Sequence, residues 1–201
     1  MDSNHDLIRE LSYFEGNILG DLCLLYNNKK HNPSYVTGVF YNTHKDYMEW
    51  QANNRLLFKD RPIWTKSYYD KRTQKTYSSY WMKTDPSWKN IVTNYQANWY
   101  YTGTKQVPHN FQLQKESLLT WYLDDGSVGS KKGIYLATDS FNQNSLDNLI
   151  TQLDSIINCK VSLHKNGNGK RIYIPTKNAS SLLEYIGDCP VLSYSYKWNI
   201  N

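Results

Sequence analysis

Cysteine is scarce in this 201-residue chain, and the three present, Cys23, Cys159 and Cys189, are widely scattered. An odd, dispersed set builds neither a disulfide framework nor a zinc knuckle, and it reads as reduced thiols in an intracellular protein. Histidine is equally sparse, with five residues and no pair at metal-ligand spacing, so no zinc site is expected. His31-Asn32 and His109-Asn110 therefore lack the second histidine an HNH-type nuclease would need. No apolar run approaches the roughly 18 residues of a membrane helix, so no membrane partner is expected. The opening MDSNHDLIRE is acidic and polar, unlike a secretory leader. Charged residues make up only 20% of the chain while apolar ones reach 39%, which excludes wholesale disorder and permits a packed core.

What the chain has in excess is aromatic: 18 Tyr and 7 Trp, side chains that serve both cores and wet interfaces. Lys plus Arg number 23 against 18 Asp plus Glu, a net +5 that favours a polyanionic partner. The abundance of Asn, Lys, Tyr and Ile fits AT-rich codons, as in an organelle, or a phage genome. An organelle or a phage or bacterial cytoplasm is the expected location.

Hydrophobic periodicity predicts a helix over 6–21, a polar turn at 27–33, a strand over 35–41, a helix over 45–57 and a hairpin over 63–83. Asp85-Pro86-Ser87 offers a helix start before 88–98. A linker follows, and the order then repeats. A helix is predicted over 114–124, a hairpin arm with its clearest strand at 133–138, and a helix over 145–158. Strands at 160–165 and 170–175 flank Asn166-Gly167-Asn168-Gly169, a strong hairpin signal, and a helix over 178–186 follows. Each half thus reads helix, two strands, helix, two strands, helix. The expected division is 1–101, a linker at 102–113, and 114–201, all of α+β class.

The informative residues end the first helix of each half. One half gives Phe14-Glu15-Gly16-Asn17-Ile18-Leu19-Gly20-Asp21; the other gives Leu118-Leu119-Thr120-Trp121-Tyr122-Leu123-Asp124-Asp125-Gly126. A carboxylate there opposes the partial negative charge of the helix C-terminus. A divalent cation reverses the sign, because the carboxylate and the free carbonyl oxygens become ligands. Gly16 and Gly20 fall one turn apart on one face, and Thr120 and Asp124 occupy the matching places, so two such helices can approach closely and bring their acids together.

This pattern resembles the LAGLIDADG family of homing endonucleases, in its single-chain form with two motifs. Leu118 to Gly126 matches the motif well; Phe14 to Asp21 is a degenerate copy in which Leu22 replaces the last glycine. The resemblance extends to Lys105-Gln106-Val107-Pro108 and Tyr196-Lys197. It implies two pseudo-symmetric αββαββα halves whose saddle-shaped antiparallel sheets straddle double-stranded DNA, packed through the two motif helices. It implies Mg2+, replaceable by Mn2+, held by Asp21 and Asp125 with Gly20 and Asp124 beside them in the metal-binding set. Lys105 and Lys197 would be the basic catalytic residues, one per active site. A monomer would cut both strands across the minor groove at a long asymmetric site, leaving 3′ overhangs, in the service of intron homing.

On the hairpins, Lys66, Lys71, Arg72 and Lys75 in the first half are candidate DNA contacts. Lys131, Lys132, His164, Lys165, Lys170 and Arg171 are their counterparts in the second. Arg72 and Arg171 are the natural guanine readers, and the lysines suit phosphate. Two other readings share the fold: an intron RNA maturase, and a catalytically silent DNA-binding regulator. Gly133-Ile134-Tyr135 and Tyr185-Ile186-Gly187 spell another nuclease family's name, but they lie far apart and Tyr185 falls in a helical stretch.

Overall fold

A computed structural model describes residues 3–26 and 35–200; the polar turn expected at 27–33, with His31, lies outside the described residues. The element order is α1 (Ser3–Leu19), β1 (Leu22–Tyr26), β2 (Val36–Asn42), α2 (Lys45–Asn54), β3 (Trp64–Asp70), β4 (Lys75–Lys83) and α3 (Lys89–Trp99). It repeats as α4 (Lys115–Asp125), β5 (Gly126–Val128), β6 (Ile134–Leu136), α5 (Gln143–Ile157), β7 (Ser162–Asn166), β8 (Gly169–Ile174) and α6 (Thr176–Ile186). Two 3-10 helices, Pro86–Trp88 and Leu192–Trp198, complete the set. The αββαββα order therefore occurs twice, and the chain is α+β.

The strands form two four-stranded antiparallel sheets, ordered β1-β2-β4-β3 and β5-β6-β8-β7. Their registers match: the residue after each helix-end acid starts a row, Leu22 opposite Phe40 and Gly126 opposite Leu136. Two compact units result. One holds α1 as far as Gly20, 97–189 and Tyr194 onward; the other holds 21–96 and 190–193.

Local chemistry explains the elements. In α5, Asn142 accepts a hydrogen bond from the Ser145 amide at 2.8 Å, and Leu146, Leu149, Leu153 and Ile157 fall on one buried stripe. The helix stops where Asn158 turns left-handed at φ 47°. The start moves two residues before the predicted one because Asn142, not a later residue, supplies the cap. In α4, Gln114 and Ser117 form a reciprocal capping box. Helix α3 follows the predicted start, where the Asp85 carboxylate accepts from the Ser87 amide at 2.8 Å. Helix α2 ends three residues short of the predicted boundary. Arg55 there is extended and 1% exposed, its guanidinium donating to Gln51 Oε1 at 3.1 Å. A charged side chain drawn inward with its own partner leaves the helix path.

In the first sheet alternate residues Leu22, Leu24, Phe40 and Met82 face the buried side, with Tyr47, Met48 and Phe58 packed among the core residues of that unit. The strand at 22–26 is an element that sequence periodicity did not single out. In the second sheet Ile134, Leu136, Ile172 and Ile174 are buried, as are Leu149, Leu182 and Ile186 of the same unit. Tyr185 is helical, as expected. No helix among the described residues is long and apolar enough to cross a membrane.

Candidate active site and nucleic-acid interface

Helices α1 and α4 form the most extensive helix pair among the described residues. A Cβ at Gly16 would strike the Ser117 carbonyl and the Thr120 hydroxyl, and one at Gly20 would strike the Asp124 side chain. The missing side chains are what let the backbones approach. Thr120 Oγ1 lies 2.9 Å from the Tyr13 carbonyl across the pair and 3.1 Å from its own Glu116 carbonyl. Asn17 Nδ2 donates to Asp124 Oδ2 at 3.0 Å. Gly16, Gly20, Thr120 and Asp124 thus all lie in the helix contact, and Asp124 is engaged there.

Two lysines close the helix ends. Lys105, in the connector after α3, points its Nζ at the carbonyls of Ile18, Leu19 and Gly20 at 2.9, 3.1 and 3.2 Å. Lys197, in the last 3-10 helix, donates to the carbonyls of Leu123 at 2.6 Å and Tyr122 at 3.1 Å. Each cation meets the partial negative charge and unpaired carbonyls of a helix C-terminus, the favourable sign. Lys197 is only 4% exposed, with its ammonium 4.4 Å from the Tyr194 ring centroid. The Tyr122 hydroxyl holds the same segment through the Lys197 carbonyl at 2.6 Å. Lys105 is half-buried, with Phe141 5.4 Å beneath its charge.

Asp125 ends α4 half-buried. Loss of surrounding water pushes its carboxyl above the ordinary carboxylate range, even though Lys105, Lys197 and Arg171 pull it down. A divalent cation would replace the stabilisation that the lost water gave the charged form, so the residue fits a hard metal ion. Asp21 follows Gly20 in the companion position, and its Oδ2 accepts from Asn42 Nδ2 at 3.3 Å. No cluster of three or more His, Cys, Asp or Glu side chains suited to a metal occurs among the described residues. Backbone oxygens and an external ligand would have to complete any coordination shell.

The predicted DNA-contacting side chains fall into two groups. Lys66, Lys71, Arg72, Lys75, Lys131, His164, Lys165 and Lys170 are exposed on the two hairpin systems. Several also have intramolecular partners: Lys132 Nζ donates to the Asn199 carbonyl at 2.9 Å and Lys170 Nζ to Gln143 Oε1 at 3.1 Å. Arg171 Nε pairs with Asp139 Oδ2 at 2.9 Å. Loss of water pushes the Asp139 carboxyl up, but hydrogen bonds from Asn166 and Arg171 outweigh it and hold the group below its usual range. Arg72 lies 3.8 Å from Asp70. His164 stacks on Tyr173 with centroids 4.3 Å apart, and Tyr135 stands against both rings. Sequence reasoning missed Asn17, Asn42, Tyr122 and Tyr194, which hold the acids and Lys197. Their partners are remote in sequence, and no local pattern marks them.

A duplicated αββαββα chain with two clasped helix ends, each finishing on an acid, defines the class. Residues 12–182 match the LAGLIDADG DNA endonuclease family, and the chain belongs to it. It is 33% identical over 104 residues to the cytochrome b mRNA maturase bI2 of Debaryomyces hansenii, a match covering 50% of this chain and 39% of that protein. An uncharacterised protein of Methanocaldococcus jannaschii is 24% identical over 133 residues, covering 65% of this chain and 49% of its own. The matched stretch thus spans less than half the length of each of these relatives. Its fold is similar to that of the homing endonuclease I-WcaI bound to its DNA recognition sequence, with TM-score 0.68, 20% identity and coverage of 96% of this chain and 87% of the other. I-DmoI in complex with DNA and Mn aligns with TM-score 0.57 at 13% identity, covering 91% and 98% of the two chains.

Proposed function

We propose that the chain is a monomeric homing endonuclease that hydrolyses both strands of double-stranded DNA at a long asymmetric site, across the minor groove, leaving 3′ overhangs. The observation that carries this reading is the paired lysine clasp. Each motif helix ends in an acid, Asp21 or Asp125, with a lysine ammonium held at its last carbonyls. Phosphodiester hydrolysis requires an activated water, a stabilised pentacovalent phosphate and a stabilised leaving oxygen. Asp21 and Asp125, with the carbonyl oxygens of Gly20 and Asp124, would hold the metal. Mg2+, or Mn2+ in its place, would activate water and neutralise phosphate charge once bound there. Lys105 and Lys197, fixed by their carbonyl partners, present one positive charge per site to the developing oxyanion. Lys66, Lys71, Arg72 and Lys75 on one hairpin system, and Lys131, Lys132, His164, Lys165, Lys170 and Arg171 on the other, would position the duplex and read its major groove.

Purified protein is incubated with Mg2+ and a randomised duplex library, and the cut ends are sequenced. A recurring site with staggered 3′ ends is the expected result; absence of breaks in every metal condition overturns the assignment. A second reading, assistance to intron RNA splicing, is favoured by the 33% identity to a cytochrome b mRNA maturase. An organellar origin accords with that relative. Splicing of the host intron in the presence and absence of the protein tests it independently of cleavage.

A further inference from the structure

The two sheets carry different chemistry at equivalent places. Beyond the core-facing row Phe40–Met82, the next row of the first sheet is Tyr41, Trp81 and Trp64, one residue from each of β2, β4 and β3. The corresponding row of the second sheet, beyond Leu136–Ile172, pairs Arg171 with His164. At this row one half thus presents three aromatic rings and the other a guanidinium and an imidazole, the imidazole stacked on Tyr173 of the neighbouring Tyr135–Tyr173 row.

The aromatic row is a stack. Trp64 and Trp81 lie 4.2 Å apart at 23°, and Tyr41 lies 6.3 Å from Trp81 at 29°. Four residues farther out, Tyr68 and Tyr77 stack at 5.7 Å and 26°. All five stand on the face opposite Phe40 and Met82. Tyr41, Trp64, Tyr68 and Tyr77 are between 36% and 56% exposed. Basic side chains alternate with these rows: Lys83 at 5.7 Å from the Trp81 ring, Lys66 opposite Ser79, and Lys75 at the tip. Apolar rows recur about every 13–14 Å along the ribbon, with a cation before, between and after them.

This alternation is complementary to a duplex, not to an extended single strand. Base stacking needs a free ring face, and stacking covers both faces of Trp81 and the inner faces of Tyr41, Trp64, Tyr68 and Tyr77. The ring edges beside those covered faces carry partial positive charge. In the major groove a thymine offers a methyl group for apolar contact and an O4 acceptor beside it. A two-stranded ribbon enters that groove, and the interleaved lysines suit the flanking phosphates.

We infer that the β1–β4 sheet recognises a thymine-rich half-site, with thymine methyls seated on the Tyr41–Trp81–Trp64 and Tyr68–Tyr77 rows. The second sheet reads its half-site through hydrogen bonds from Arg171 and His164. This rests on the DNA reading above and specifies its substrate.

The test uses the full chain without metal, so that nothing is cut. Duplexes retained from a randomised DNA library in EDTA are sequenced, and thymines in each half-site are then exchanged for deoxyuridine, which lacks only the methyl. One half-site is expected to be thymine-rich, with each exchange there weakening binding about fourfold, the scale of one buried methyl. Exchanges in the other half-site have a smaller effect, since the outer face of the second sheet carries one aromatic row, Tyr135–Tyr173, against two in the first. The double variant Trp64→Ala, Tyr68→Ala loses the sensitivity. Retention of specific duplexes with no response to deoxyuridine overturns the thymine assignment and leaves the DNA reading standing. Failure to retain any duplex overturns both. Tighter binding of a single-stranded oligouridine RNA than of any duplex overturns the assignment in favour of stacking on ring faces.

Discussion

Lys197 Nζ donates to the Leu123 carbonyl at 2.6 Å from a position 4% exposed to solvent. A buried ammonium is tolerated only where its donors are satisfied, and here the end of α4 and the face of Tyr194 satisfy them. Lys197→Met keeps the chain's bulk but leaves the Tyr122 and Leu123 carbonyls without this donor. Stability should fall by about 1–3 kcal/mol in chemical denaturation. Under the proposed function, cutting of one strand should slow by about a hundredfold or more. On supercoiled plasmid carrying the selected site this appears as accumulated nicked circles; linear product formed at the wild-type rate removes Lys197 from the active site.

Gly16→Ala places a methyl against backbone and a short hydroxyl side chain, neither of which can swing aside. The helices must separate, at about 1–3 kcal/mol. Gly20→Ala meets the Asp124 Cβ, which is fixed to its backbone and which no rotamer moves. Urea midpoints should therefore fall for both Gly16→Ala and Gly20→Ala, and a wild-type midpoint in either variant would refute the close approach at that position.

Asp125→Asn and Asp21→Asn should each abolish double-strand cleavage while leaving DNA retention in EDTA largely intact. Full cleavage by either variant removes the metal assignment. Asp125 also gives a pH signature. Its carboxyl is pushed above the ordinary range in the folded state, so its contribution is fully present below the unfolded pKa and is lost as pH rises through the folded value. Metal-free wild type should therefore melt below Asp125→Asn at neutral pH, with the gap closing as pH falls into the carboxylate range. Mg2+ should raise the melting temperature of the wild type only.

DNA affinity should drop steeply with salt, because lysines on both hairpin systems would displace counterions from several phosphates. Retention of the selected duplex between about 50 and 200 mM salt should fall by orders of magnitude. A flat response would count against a duplex laid along these strands.

Much of the fold is legible in the chain because its signals are local. The Leu146-Leu149-Leu153 stripe announces a helix, and Asn166-Gly167-Asn168-Gly169 announces a hairpin, whose Gly167 adopts φ +55°. The acid-ended helices and their small residues mark the close pair. Partnerships across long sequence separations are not legible. Nothing near Lys105 says that it reaches the end of a helix more than 80 residues earlier, as it does at Ile18. Nothing near Arg171 says that Asp139 will hold it, and the Trp64–Trp81 stack depends on a register that only the folded sheet reveals.

Each lysine follows the last helix of its own repeat and returns to the first helix of that same repeat: Lys105 after α3 to α1, Lys197 after α6 to α4. Each repeat therefore carries its own helix-end acid and its own returning cation, and damage to one clasp leaves the other in place. The two copies differ instead on their outer faces, with indoles in one where the other has imidazole and guanidinium.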